Sequence, residues 1–148
     1  MIETITINAF KSIVSLTLPL GRVNCFIGAN GVDKSNLLEA IGMLGAAANG
    51  QVDDAWLLHK GIRISSPTLY SAAFGKAQPP EPIALSARNT AGAEYRVSLA
   101  NPVTDPQPAW TFASETLTDS EHGTFVDRAI ATANPMPTRG LAAGRLAE

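Results

Sequence analysis

Apolar and polar residues alternate at the start of the chain, so that Ile5, Ile7 and Ala9 share one face of a first strand. Val14, Leu16 and Leu18 repeat the pattern in a second strand, which Pro19 ends or confines to a sheet edge before a turn at Gly21. A mostly apolar run, Val23 to Ile27, reads as a third strand. The period then becomes helical, with Leu37, Leu38, Ile41, Leu44 and Ala48 on one side and Asn49-Gly50 at the C-terminal cap. Gly42 and Gly45 weaken this helix and predict close packing of its glycine side against the sheet. Residues 51 to 60 read as a short helix, begun at Asp53-Asp54 and stopped by Gly61.

After the linker Gln78-Pro79-Pro80-Glu81-Pro82, the period of two returns. Ile83, Leu85 and Ala87, the turn Asn89 to Gly92, and Tyr95, Val97 and Leu99 make a hairpin. A proline-rich loop from Asn101 to Pro108 leads to a strand marked by Trp110 and Phe112, and Ser120 to Thr124 turns the chain toward Phe125-Val126. Trp110 and Phe112 alternate without interleaved basic residues, which favours core packing over base stacking. No internal repeat is present.

The junction between the third strand and the long helix carries the candidate chemistry. Gly28-Ala29-Asn30-Gly31-Val32-Asp33-Lys34-Ser35-Asn36 meets the phosphate-loop pattern G-x-x-x-x-G-K-[ST] at Gly28, Lys34 and Ser35, with Asp33 where the second glycine belongs. In such a loop, successive backbone N–H groups and the positive end of the helix converge on one anion. Lysine adds a full charge near the terminal phosphates, and the serine hydroxyl is placed to hold a magnesium ion bridging their oxygens. Asp33 opposes this twice. Its Cβ fills space or a backbone angle reserved for glycine, and its carboxylate adds negative charge beside a polyanion. At about 4 Å and an effective dielectric near 20, one like-charge contact costs roughly 4 kcal/mol, close to three decades of affinity. Rotation of the side chain would relieve the repulsion, whereas pairing with Lys34 would neutralise the cation the loop needs.

Read outward from this loop, Met1 to Ile13 with Asn8-Ala9-Phe10-Lys11-Ser12, followed by Asn30-Gly31 and Asn36-Leu37-Leu38-Glu39-Ala40, resembles the beginning of the RecF/SMC/OLD-type ABC ATPases, a group of AAA family ATPases. The match is dense over residues 1 to 41 and looser over Gly61-Ile62-Arg63 and Pro67-Thr68-Leu69-Tyr70. The resemblance implies an α/β fold, part of a P-loop NTPase head of the ABC type, with a mixed sheet, the P-loop helix and an added antiparallel β layer. Under it, residues 1 to 76 form the P-loop core with the N-terminal strands, 83 to 130 the antiparallel layer, and 131 to 148 a truncated tail. It also implies ATP and Mg2+ as cofactors, held by Gly28 through Asn36, with Lys11 and Ser12 beside the nucleotide and Ser35 on the metal. Members work as two heads that sandwich nucleotide between them. The implied partner is therefore a missing ATPase lobe or a full-length homologue, with dimerisation among the outcomes.

A complete head also carries a Ser-Gly-Gly signature and an apolar strand closing on Asp-Glu, and neither is found in this sequence. Hydrolysis by the chain alone therefore lacks an obvious base, and no catalytic residue is assigned. The tail Gly140 to Glu148 stops in a semi-apolar pattern, which reads as a truncation of a longer ATPase. Three functions follow in order: a nucleotide-binding domain impaired at Asp33, a partner-assisted ATP-binding subunit, and a non-enzymatic module that docks onto a relative.

Composition narrows the setting. With 148 residues, 45% of them hydrophobic, the chain is long enough for one core. Its net charge is −2 and its 11 basic residues are dispersed, so direct nucleic-acid binding is unsupported. Arg63 follows the helix and could reach a phosphate, but a solvated loop position is the preferred reading. Cys25 in an apolar strand is expected to be a buried thiol, and His59 and His122 lack metal-ligand spacing. No stretch is long and apolar enough for a membrane span, and a cytoplasmic protein is expected.

Overall fold

The computed structural model describes residues 1–29, 33–70, 81–119 and 137–141, and the backbone alone of 123–129. Its strands are β1 (Ile2–Phe10), β2 (Ile13–Pro19), β3 (Ile83–Asn89), β4 (Glu94–Ala100), β5 (Thr111–Asp119) and β6 (Gly123–Ala129). They form one six-stranded sheet in the order β2-β1-β3-β4-β5-β6. All of its pairings are antiparallel, in place of the expected mixed sheet. β1 pairs with β2 on one side and β3 on the other, so the N-terminal strands and the later strands share one sheet.

The period of two sets the inner face. Ile5 and Ile7 of β1, Ile83 and Leu85 of β3, and Tyr95, Val97 and Leu99 of β4 are all buried, while Thr4, Thr6 and Asn8 are partly exposed opposite them. Helix α1 (Lys34–Ala48) covers this face with Leu37, Ala40, Met43, Leu44 and Ala47. Sheet and helix thus make two layers around one apolar core. Asn49 caps α1, and Gly50 at φ 81° takes the left-handed conformation that the Asn-Gly pair predicts. Gly42 packs against the chain leaving the next helix rather than against the sheet: a Cβ there would lie 3.1 Å from Ile62 and 3.2 Å from the Lys60 carbonyl oxygen. Gly45 is much looser, with Lys60 Cε at 3.9 Å.

Helix α2 (Asp54–His59) begins at Asp53, whose carboxylate accepts the Trp56 N–H at 2.9 Å, and it is followed by Gly61 at φ 78°. Asn89 orders the β3–β4 turn by accepting the N–H groups of Ala91 and Ala93, and Gly92 takes φ 84°. Trp110 and Phe112 are core residues, as their alternation predicts. The register shifts opposite Ser98 and Leu99, however, and this bulge turns Glu115 inward together with Phe112. Glu115 is fully buried, accepting the Tyr95 hydroxyl at 2.7 Å and the Leu141 N–H at 2.9 Å. The predicted turn at Ser120 to His122 and most of the linker lie outside the described residues. Among the described residues, no helix is long and apolar enough to cross a membrane.

Candidate functional site

Residues 21 to 29 leave the sheet after Leu20, whose N–H still bonds the Glu3 carbonyl, and Gly21 and Asn24 then close a turn on each other. The stretch expected as the third strand pairs with none of the six strands. Its backbone from Arg22 to Ala29 makes no backbone hydrogen bond to another described residue. Val23 is 89% and Ile27 90% exposed, and Cys25 is exposed rather than buried. The apolar pattern describes a segment suited to a sheet, but the six strands present pair only with one another. Between this stretch and β2 opens a cleft of about 590 Å³, lined by Ser12, Ile13, Leu16, Phe26, Lys34 and Leu37 among others.

The loop enters α1 at Asp33, which sits at φ 36°, ψ 6° and makes no side-chain cap. This is the left-handed geometry that the missing glycine would adopt without strain. An L-residue held there costs on the order of 1–3 kcal/mol. Asp33 Oδ1 accepts hydrogen bonds from the Ser12 hydroxyl and, at 3.2 Å, from Asn36 Nδ2, which also donates to Ser12 Oγ at 2.7 Å. The carboxylate is thereby fixed at the helix N-terminus, where the backbone dipole favours an anion. Lys34 Nζ folds back to donate to the Gly28 and Ala29 carbonyl oxygens at 2.7 and 2.5 Å. The Ser35 hydroxyl is exposed and bonds no described residue, which leaves it open to a ligand. Gly28 and Ala29 are also exposed, and Asn30, Gly31 and Val32 lie outside the described residues.

Of the two residues from the β1–β2 turn, Ser12 joins this cluster and Lys11 does not. Lys11 Nζ pairs with Glu39 on α1 and lies 4.7 Å from the Tyr70 ring centroid, a cation–π distance. Its backbone N–H donates to the Tyr70 carbonyl at 2.7 Å, and its φ of 50° is left-handed, as is that of Ala9 at 58°. Arg63 Nε takes the other Glu39 oxygen at 2.8 Å, so Arg63 is tied to the helix rather than to the loop. Glu39 is only 5% exposed. Burial pushes its carboxyl up, but hydrogen bonds and charge from Lys11 and Arg63 outweigh that and hold it below the ordinary range. The residue pattern gives Glu39 only as part of a motif; its place on the buried face beside Ala40 and Met43 is the signal that it needs partners.

A loop that opens onto a helix N-terminus, with lysine and serine in the first turn, defines the P-loop class of nucleotide-binding proteins. Residues 23–134 match the family described as "AAA domain, putative AbiEii toxin, Type IV TA system", and the chain belongs to that family of AAA domains. No curated protein matches the chain.

The donor set fits a phosphate in part. The helix N-terminus, Lys34 and Ser35 suit ATP with Mg2+, whereas the Asp33 carboxylate occupies the same end of the helix.

Proposed function

We propose that this chain is a P-loop domain of the RecF/SMC/OLD-like ABC type in which Asp33 weakens the grip on ATP and Mg2+. The observation that carries this reading is the fixed carboxylate: Asp33 has the glycine-like backbone and its side chain bonds Ser12 and Asn36 at the helix end. Nucleotide would be held by the backbone of the loop from Gly28 to Asn36, with Lys34 leaving the Gly28 and Ala29 carbonyls for the terminal phosphates and Ser35 on the metal. Magnesium would supply charge neutralisation between phosphate oxygens. Hydrolysis is not part of the reading. Asp33 is the one carboxylate among the described residues lining the cleft, and Glu39 is already engaged by Lys11 and Arg63.

The test is a titration of a fluorescent ATP analogue, with magnesium, into the chain, Asp33→Gly and the double variant Asp33→Gly/Lys34→Ala. Because the carboxylate is exposed and solvent screens it, a gain of about ten- to a hundredfold is expected for Asp33→Gly, less than unscreened repulsion gives. The double variant should lose that gain. Equal affinity for the chain and Asp33→Gly, or binding that survives loss of Lys34, would overturn the reading.

A second reading is supported by the unpaired stretch from Arg22 to Ala29. Val23 and Ile27, with Val14 on β2 and Leu38 on α1, are large apolar side chains exposed to solvent. Backbone N–H groups that no described strand engages, with the carbonyls ahead of Gly28, are a template for strand addition. In this reading the chain docks onto another ATPase lobe, either as a partner-assisted ATP-binding subunit or as a non-enzymatic module. Nucleotide-dependent co-purification with a full-length relative would favour the first form, and nucleotide-independent co-purification the second. Unchanged association after Val23→Lys/Ile27→Lys would exclude this surface.

A further inference from the structure

Asn36 and Glu39 are three residues apart on one side of α1, and Ser12 and Lys11 are adjacent on the β1–β2 turn. Asn36 binds Ser12 and Glu39 binds Lys11, so consecutive positions on the helix side hold consecutive residues of the turn. From this geometry we infer that Glu39 is a positioning residue for the phosphate loop: through Lys11 it sets the turn that presents Ser12 to the helix N-terminus. The inference rests on the reading of that N-terminus as the phosphate site.

The turn needs such a constraint. Ala9 and Lys11 both have left-handed backbones, conformations that persist only where surrounding contacts fix them. Lys11 is fixed at its N–H by the Tyr70 carbonyl, along its side chain by the Tyr70 ring, and at its ammonium by Glu39. The Glu39 carboxylate is buried on α1, with one oxygen on Lys11 and the other on Arg63. Tyr70 closes the arrangement by donating its hydroxyl to the Arg63 carbonyl at 2.7 Å. Arg63 is largely exposed, and its guanidinium bonds Glu39 rather than a residue of the turn. Positioning therefore runs from Glu39 through Lys11 to Ser12, and Arg63 lies off this path.

The experiment follows the Asn36 side-chain amide by 15N NMR without nucleotide in Glu39→Gln, Lys11→Met, Lys11→Arg and Arg63→Met. Glu39→Gln and Lys11→Met should shift the Asn36 amide pair and speed its exchange with water, leaving the β3–β5 resonances in place. Lys11→Arg should restore the original signals, and Arg63→Met should leave them nearly unchanged. If Glu39→Gln does not fold, Lys11→Met and its arginine rescue decide the matter. An Asn36 amide that stays put in Lys11→Met, or moves no more than the sheet, would overturn the inference and leave Glu39 a stabilising pair.

In parallel, adding Glu39→Gln to Asp33→Gly should weaken binding of the fluorescent ATP analogue about tenfold. Adenosine binding should be unaffected by that addition. If Asp33→Gly binds no nucleotide, the functional reading fails by itself, and the Asn36 signals still decide the role of Glu39.

Discussion

Asp33 joins a local strain to a local attraction. Its backbone has the left-handed angles of a glycine, while its carboxylate gains from Ser12, Asn36 and the helix end. Glycine at this position would remove the strain and the side-chain bonds together, and it would also raise the entropy of the unfolded chain. These contributions oppose one another at about 1 kcal/mol each, so Asp33→Gly should shift stability by less than about 1 kcal/mol while changing nucleotide affinity far more. Urea unfolding of the two proteins checks this, and a loss above about 2 kcal/mol would mean that the carboxylate is chiefly a structural cap. Gly140 is different, because a Cβ there would fall 2.6 Å from the Phe112 ring and 2.9 Å from Glu115. Gly140→Ala should cost about 1–3 kcal/mol by overpacking, read from the same unfolding curves. The substitution at Asp33 was legible in the motif, down to the demand for an unusual backbone angle. The inward turn of Glu115 was not, because simple alternation from Phe112 points residue 114 inward and only the bulge reverses the phase.

At the level of elements, local signals were sufficient wherever they named a cap or a turn. Asn49-Gly50, Asp53, Gly61 and the Asn89 turn each stand where their chemistry demands, and Pro19 ends an edge strand. The stretch Val23 to Ile27 differs in kind. Its apolar pattern records suitability for a sheet, but pairing depends on a neighbour elsewhere in space, which periodicity cannot supply. The expected burial of Cys25 failed for the same reason. Hydrogen exchange separates the two conditions directly: amides of Arg22 to Ala29 should exchange near the unpaired rate, while those of β1, paired on both sides, should be protected. Protection of Arg22 to Ala29 matching β1 would show that the stretch is already paired in solution, and the docking reading would lose its basis.

For the whole molecule, two buried ionisable contacts set opposite limits on stability. Glu39, faced by Lys11 and Arg63, has its folded pKa below the ordinary 4.5, so its contribution is complete above about pH 4.5 and is lost as pH falls. Tyr95, driven upward by burial and then by its bond to Glu115, has its folded pKa above the ordinary 10.0. Its contribution is complete below about pH 10 and is lost as pH rises, because unfolding frees the hydroxyl to ionise. Each proton exchanged between folded and unfolded chains tilts stability by about 1.4 kcal/mol per pH unit. The limits lie in different places, since Glu39 binds the helix to the β1–β2 turn whereas Tyr95 joins β4 to the Glu115 that receives Leu141. Replacing one should leave the other intact. Urea midpoints measured from about pH 3.5 to 11 should therefore fall at both ends, with Glu39→Gln flattening only the acid side and Tyr95→Phe only the alkaline side. An alkaline fall that persists undiminished in Tyr95→Phe would show that the Tyr95–Glu115 contact does not set the alkaline limit, and the two limits would no longer divide between the two contacts.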